Sequence, residues 1–170
     1  MKGSKIAGMK NSFSFDMENI IDNMKVSGAF LTSGDKSNFN TMTISWGCIG
    51  YMIRKPIFVV IVSNVRYTKE FIDKNNTFTV SIPYNKIKEK ALKICGHNSG
   101  RDVNKEIEAD IKFVQAKSID SPIIEGCNRY YECKVLFKQE IDLEKVDNTM
   151  IYGDNEAKHT IYFGEIIEEY

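Results

Sequence analysis

Two kinds of side chain are grouped in this sequence in ways that could do chemistry. One is a row of short neutral hydroxyls and amides; the other is a pair of loops carrying arginine and lysine. The row lies in Asn38-Phe39-Asn40-Thr41-Met42-Thr43-Ile44-Ser45-Trp46, where Asn40, Thr41, Thr43 and Ser45 stand beside the chain's only tryptophan. These groups donate and accept hydrogen bonds without carrying charge. They suit the edge of a ligand, and they equally suit an exposed strand face, because Thr and Ser fit a pleated surface unaided. The first loop, Ser63-Asn64-Val65-Arg66-Tyr67-Thr68, sets Arg66 between a strand-like run and a helix-like one, with hydroxyls on both sides. An arginine fork and the open N–H groups of a helix start form a phosphate cradle. The second loop offers Ser99, Gly100, Arg101 and Lys105. Either loop alone reads as a solvated surface. All three elements in one short chain are harder to dismiss.

Other chemistries find little support. There is no GxGxxG after a strand and no GxxxxGK[ST], so a nucleotide would be held without a Rossmann or P-loop device. Cys48, Cys95, Cys127 and Cys133 form no CxxC pair, which removes zinc-knuckle and thioredoxin readings and leaves free thiols of a reducing compartment. Cys48 is expected as a small buried thiol, and His97 on a surface turn. Glu125, Glu132 and Glu165 are not spaced for paired acid–base work. Lys+Arg 23 against Asp+Glu 23 gives no basic footprint for nucleic acid. The densest apolar run, Ile57 to Val62, is too short to cross a bilayer, and the first residues lack the apolar core of a secretory signal. A cytoplasmic protein is expected. At 170 residues the chain can bury roughly 70% of its unfolded surface as one domain, residues 1–170.

The elements that must position these groups are mostly strands. Phe15 to Met24 reads as a short helix or turn with Asp16 as its cap. Val26 to Gly34 follows as a strand, and the hydroxyl-rich stretch 38–50 as the next. Lys55 to Ser63 is β-branched and aromatic, with Pro56 tolerable only near its start. Arg66 to Asn76 is a helix, Thr77 to Ile82 a strand ended by Pro83. Asn85 to Cys95 has helical spacing and Gly96 as its C-cap. The loop from Ser99 opens into another helix. Ile111 to Ile119, Arg129 to Leu143 and His159 to Tyr170 read as strands. The pattern specifies a mainly β fold, an antiparallel barrel with a few peripheral helices.

NTMTISWG, KPIFVVIVSNVRYT, FTVSIP, GHNSGRDVNK and HTIYFGEI, in that order, resemble the flavin reductase-like FMN-binding split barrels, most nearly the flavoredoxin branch. The resemblance spans Val26 to Ile166. It implies a Greek-key split β-barrel, usually a homodimer, with FMN near the subunit interface. Asn40, Thr41, Met42, Thr43 and Ser45 would line the isoalloxazine ring and ribityl chain, with Trp46 shielding them. Ser63, Arg66, Thr68 and Lys105 would hold the phosphate, and Ser99 and Gly100 would shape that loop. His159 would face the exposed ring where substrate approaches, although a histidine capping a strand edge fits the same position. Lys158 stands where many relatives carry an acidic residue. The activity implied is hydride transfer from NAD(P)H to flavin N5 and onward to an electron acceptor that the sequence does not identify. A flavin carrier or sensor without catalysis, or a split-barrel haem binder ligated through His97, His159 or a cysteine, are the alternatives.

Overall fold

The computed structural model describes residues 16–147 and 158–170. The polar leader and residues 148–157 lie outside them. Helix α1 (Met17–Val26) precedes strands β1 (Ala29–Gly34), β2 (Phe39–Ile44), β3 (Gly47–Met52) and β4 (Lys55–Ser63). Helix α2 (Tyr67–Asn75), β5 (Thr77–Ile82), α3 (Glu89–His97) and the single-turn α4 (Lys105–Glu108) come next. The chain continues through β6 (Phe113–Val114), β7 (Ile123–Ile124), β8 (Arg129–Glu140), a 3₁₀ turn at Leu143–Lys145, and β9 (His159–Glu169).

Seven strands form one antiparallel sheet in the order β2-β1-β5-β8-β9-β4-β3; β6 and β7 pair separately. The β1–β2 and β3–β4 hairpins thus occupy opposite ends of the sheet, and β5, β8 and β9 fill the space between them. The sheet curls so that β2 comes against β4 without a ladder between them, and this gap is the seam. Beside it the Ile61 N–H donates to the Trp46 carbonyl at 3.3 Å, extending the β3–β4 pairing by one residue. This is the mainly β antiparallel barrel that the residue pattern specifies, with the split form that the resemblance implies.

Burial explains why these segments take these places. In β4, Ile57, Phe58, Val59, Val60 and Val62 are all buried, as expected of a β-branched run with neighbours on both sides. Phe58, Val60 and Val62 join Ile72 of α2, Phe78 and Val80 of β5, and Tyr131 and Tyr162 in the barrel core. A second cluster lies under α3, where Phe30 meets Ala91, Leu92, Cys95 and Ile124. Every residue of β1 is buried, including Thr32 and Ser33, so their hydroxyls need partners. Thr32 Oγ1 donates to Thr41 Oγ1 at 2.9 Å, and Ser33 Oγ donates to the Thr77 carbonyl at 2.6 Å.

Four sequence expectations are corrected. Residues 38–50 are not one strand: the chain breaks at Ser45–Trp46 and crosses from the β2 edge, paired with β1, to β3, paired with β4. Val26 ends α1 instead of starting β1, because the Asn23 side chain and carbonyl close the helix against Gly28. Gly96 lies inside α3, which runs to His97 and is capped by Asn98. Of Ile111 to Ile119, only Phe113 and Val114 are strand.

One glycine in the core is fixed by its neighbours. A Cβ on Gly164 of β9 would sit 2.5 Å from Phe78 Cζ and 2.9 Å from Cys133 Cβ. Both neighbours are fully buried and cannot retreat freely. Gly164→Ala is expected to cost about 1–3 kcal/mol by overpacking. At this chain length that is roughly 2–12 °C in Tm, read by calorimetry on protein without ligand. An unchanged Tm would mean that the Phe78 ring is not held against this strand.

Candidate functional site

The seam and the two helix ends beside it enclose a cavity of about 430 Å³. Strand β2 supplies Asn40 and Met42 to its wall, and the end of β4 supplies Ser63. Asn40 and Ser63 are each placed by a specific contact. The Asn40 amide donates to Thr68 Oγ1 at 2.7 Å and to the Thr41 carbonyl at 3.1 Å, so the strand and α2 are tied at the cavity wall. Ser63 and His159 are directly paired across β4 and β9, which places both at the same mouth.

Arg66 is the N-cap residue of α2, extended at φ −74° and ψ 131°. Its side chain does not cap the helix. One guanidinium nitrogen donates instead to the Gly96 carbonyl at 2.8 Å, which aims the fork along the cavity from α2 toward the end of α3. The remaining N–H groups of the fork stay available to a ligand. The open N–H groups of the α2 first turn and its positive dipole end add to this cationic corner.

Lys105 is the first residue of α4, a turn capped by Asn104, whose side chain accepts from the Glu106 and Ile107 N–H groups. Only 7% of Lys105 is exposed. Its ammonium donates to the Thr41 carbonyl at 2.7 Å and the Cys95 carbonyl at 3.0 Å, binding β2, α3 and α4 together. Burial lowers its pKa; the Cys95 thiol acts the other way, and the Arg66 charge lowers it again. Burial raises Cys95 to about 11, against the opposite pull of Lys105, so it stays a neutral thiol at ordinary pH. An anion placed here would relieve the repulsion between the two cations.

Gly100 allows the loop to close on the strand. A Cβ there would lie 1.9 Å from Asn40 Oδ1. The Ser99 hydroxyl accepts from the Arg101 N–H at 3.2 Å and shapes the same turn. Arg101 stacks over the Tyr67 ring at 4.5 Å and pairs with Glu70. No carboxylate is among the residues lining the cavity, whereas Arg66, Arg101, Lys105, His97 and His159 all are. That composition selects an anion.

A second, smaller opening of about 290 Å³ continues along the seam. It shares Met42, Ser63, Arg66 and His159 with the first and adds Thr43, Ser45 and Trp46. Trp46 is 48% exposed, and its ring centroid lies 5.5 Å from that of His159. Together the two openings make one elongated site, cationic at one end, neutral and aromatic at the other.

The candidates named from sequence divide as follows. Asn40, Met42, Ser63, Arg66, Thr68, Ser99, Gly100, Lys105 and His159 share the larger cavity, and Thr43, Ser45 and Trp46 line the smaller one. Thr41 lines neither: its hydroxyl donates to the Leu31 carbonyl and accepts from Thr32, leaving only its backbone toward Lys105. The Thr43 hydroxyl is likewise engaged, donating to the Leu92 carbonyl at 2.6 Å. His97 is exposed as expected, but it ends α3 at the cavity wall and not on a turn, its Nδ1 donating to the Lys93 carbonyl at 2.7 Å. Cys48 is exposed on β3, because the outer face of that edge strand is uncovered by the chain itself. Arg101 is signalled by the basic loop, whereas nothing in the sequence signals Tyr67 at the site or the stacking that joins the two.

Comparison with known proteins gives the same outline. An uncharacterized protein of Archaeoglobus fulgidus is 27% identical over 128 residues, covering 75% of this chain and 63% of that one. The match therefore spans less than two thirds of the length of that relative. Among solved structures, flavoredoxin from Methanosarcina acetivorans superposes with a TM-score of 0.64 at 24% identity, over 85% of this chain and 67% of the other. Flavoredoxin of Desulfovibrio vulgaris (Miyazaki F) gives 0.64 at 22%, over 85% and 69%. An FMN-binding protein from Thermus thermophilus gives 0.65 at 19%, over 100% and 80%. At these identities the superpositions establish the fold. The model of the flavin reductase like domain matches residues 23–169, nearly the whole length, and the chain accordingly belongs to that family.

Proposed function

We propose that this chain binds FMN along the seam and acts as an oxidoreductase that takes hydride from NAD(P)H and passes electrons to an acceptor. The observation that carries this reading is the two-part site: Arg101 and Lys105 without a carboxylate in the larger opening, Ser45 and Trp46 in the smaller, and Met42, Arg66 and His159 lining both. A flavin phosphate bears about −1.5 to −2 charge at neutral pH and needs such a cationic corner. An isoalloxazine has apolar faces and hydrogen-bonding edges, which Met42, Trp46 and the Ser45 hydroxyl fit. When bound, FMN itself supplies the hydride-accepting chemistry. The chain's residues then hold, orient and screen. Arg66 and the α2 first turn fix the phosphate end, Asn40 keeps the loop and strand in register, and Trp46 and His159 flank the mouth where a nicotinamide would enter. No side-chain acid or base is needed for hydride transfer, which agrees with the absence of a paired catalytic dyad among the residues lining the site.

The test is anaerobic. FMN-loaded protein mixed with NADH, and separately with NADPH, is expected to lose its flavin visible band in at least one mixture, faster than free FMN does. Bound flavin that bleaches no faster than free flavin would contradict hydride transfer and describe a carrier instead.

A second copy of the chain is expected to complete the protein. Trp46, Tyr51 and Ile53 are exposed on or beside β3, and Ile21 on neighbouring α1. An edge strand with uncovered apolar residues invites pairing, and a symmetric dimer is the commonest solution. Sedimentation of FMN-loaded protein at micromolar concentration is expected to give a dimer mass. A monomer mass would contradict it.

A further inference from the structure

A cleft of about 360 Å³ opens between α1 and β3 and has no part in the reading above. It meets the neutral end of the seam at Ser45 and Trp46 and shares no residue with the larger cavity. Its origin is in the helix. Met17, Ile20, Ile21 and Met24 recur at helical spacing and give α1 an apolar stripe. Ile20 and Met24 are buried with Phe58 in the barrel core, so the floor of the cleft is core. Ile21, at 57% exposure, is left on the rim with Trp46 and the exposed Cys48. Lys25, in the last turn of α1, brings the only charge among the lining residues, and no Asp or Glu answers it there.

We propose that this cleft binds a small aromatic anion of one or two rings, with the ring in the apolar part and the charged group toward Lys25. The inference goes beyond the flavin reading and does not rest on it, since Arg66 and Lys105 line the flavin site and not this one. Size sets the class of ligand. Small-molecule pockets run from about 300 to 1,000 Å³, so one at the lower end suits a one- or two-ring molecule and not a whole flavin nucleotide. Chemistry narrows the class further. Trp46 offers an aromatic face, and Met17 and Met24 are adaptable side chains whose sulfur favours ring edges. A carboxylate in the wall would repel an anion, and the lining has none. Lys25 is exposed, so its help to an anion is modest, a factor of about two to five. Ile21 and Trp46 also belong to the face expected to pair with a second copy. A copy seated there would reach this rim, whereas the core residues of the floor remain for a smaller guest.

Equilibrium dialysis with 2-naphthoate, its neutral amide 2-naphthamide and the ring-free anion octanoate tests the assignment on protein without FMN. Wild type is expected to bind 2-naphthoate with a Kd on the order of 0.1–1 mM. That is about two- to five-fold tighter than the amide, and octanoate should bind more weakly than 2-naphthoate. Lys25→Met should bring the acid to the affinity of the amide. Ile21→Glu sets a carboxylate in the wall and should weaken both naphthalene ligands on the order of ten-fold. A Glu one turn before Lys25 suits the helix, so α1 keeps its fold. Cys48→Phe narrows the cleft without adding charge and should weaken both as well. Arg66→Ala, which acts on the flavin site, should change neither. Loss of 2-naphthoate binding in Arg66→Ala, with Ile21→Glu and Cys48→Phe unaffected, would put the anion in the cationic cavity and overturn the proposal. So would an absence of binding at millimolar 2-naphthoate, the result expected if a second copy fills the cleft. Octanoate binding as tightly as 2-naphthoate would overturn the aromatic assignment. FMN binding is read in none of these arms, so failure of the flavin reading is a separate result.

Discussion

Arg66→Ala is expected to weaken FMN binding on the order of ten- to a hundred-fold while leaving riboflavin affinity nearly unchanged. The reasoning begins with the fork's position. It leaves the α2 N-terminus, is steadied by one hydrogen bond to the Gly96 carbonyl at 2.8 Å, and faces a cavity without carboxylates. Charge-assisted hydrogen bonds to a phosphate are worth about 1.5–3 kcal/mol, and about 1.4 kcal/mol is a decade in affinity. Riboflavin lacks the phosphate and should not register the loss. Arg66 is exposed, so stability without ligand should change by less than about 0.5 kcal/mol. Titration of both flavins into wild type and mutant decides the matter. Equal losses for the two ligands would remove Arg66 from the phosphate and make it an ordinary loop arginine.

Gly100→Ala is expected to act on the same site by a different route. The added Cβ would lie 1.9 Å from Asn40 Oδ1 and 2.9 Å from Asn40 Cγ. Asn40 cannot simply turn away, because its amide is committed to Thr68 Oγ1 and the Thr41 carbonyl, and only 7% of the residue is exposed. Either the loop lifts or the Asn40–Thr68 tie breaks. Overpacking of this kind costs about 1–3 kcal/mol, and because the strained groups are the cavity wall, much of it should fall on binding. FMN affinity should drop on the order of five- to a hundred-fold. Unlike Arg66→Ala, this substitution should also weaken riboflavin, since it distorts the enclosure and not the phosphate contact alone. A mutant with wild-type affinity for both flavins would show that the loop moves without consequence.

The contrast between these two residues marks what the sequence makes legible. The place of Arg66 is readable because its loop falls between a strand run and a helix start, which sets it at the N-cap of α2 and in the cavity wall. The β-branched run of β4 is equally plain, since burial leaves a continuous apolar signature. The alternation read in β8, in contrast, is not matched by its burial, which takes Tyr131, Glu132 and Cys133 in a row and leaves residues 136–140 exposed. Gly100 was readable only as a loop glycine. Its close approach to Asn40 is a contact between residues 60 positions apart, which no local pattern encodes. The break at Ser45–Trp46 was hidden for a related reason. Alternation continues through Trp46, and only the pairing of β2 with β1 and of β3 with β4 forces the chain to leave one edge for the other. Thr41 shows the opposite limit. Its type matches a ligand-facing strip, but the residue is 1% exposed and its hydroxyl is engaged by Leu31 and Thr32. His97 was assigned to a turn because Gly96 looked like a helix terminator, whereas α3 carries one residue further and delivers the imidazole to the cavity wall.

The most direct test of the flavin assignment is a titration of the purified protein with FMN, followed by Trp46 emission and the visible spectrum together. Trp46 is the chain's only tryptophan and lines the neutral end of the site, with its ring 5.5 Å from that of His159. A flavin seated along the seam is expected to quench that emission saturably, at one FMN per chain, as the flavin bands shift to those of a bound species. Unchanged Trp46 emission at saturating FMN, or a sharp Soret band in the protein as purified, would contradict the assignment.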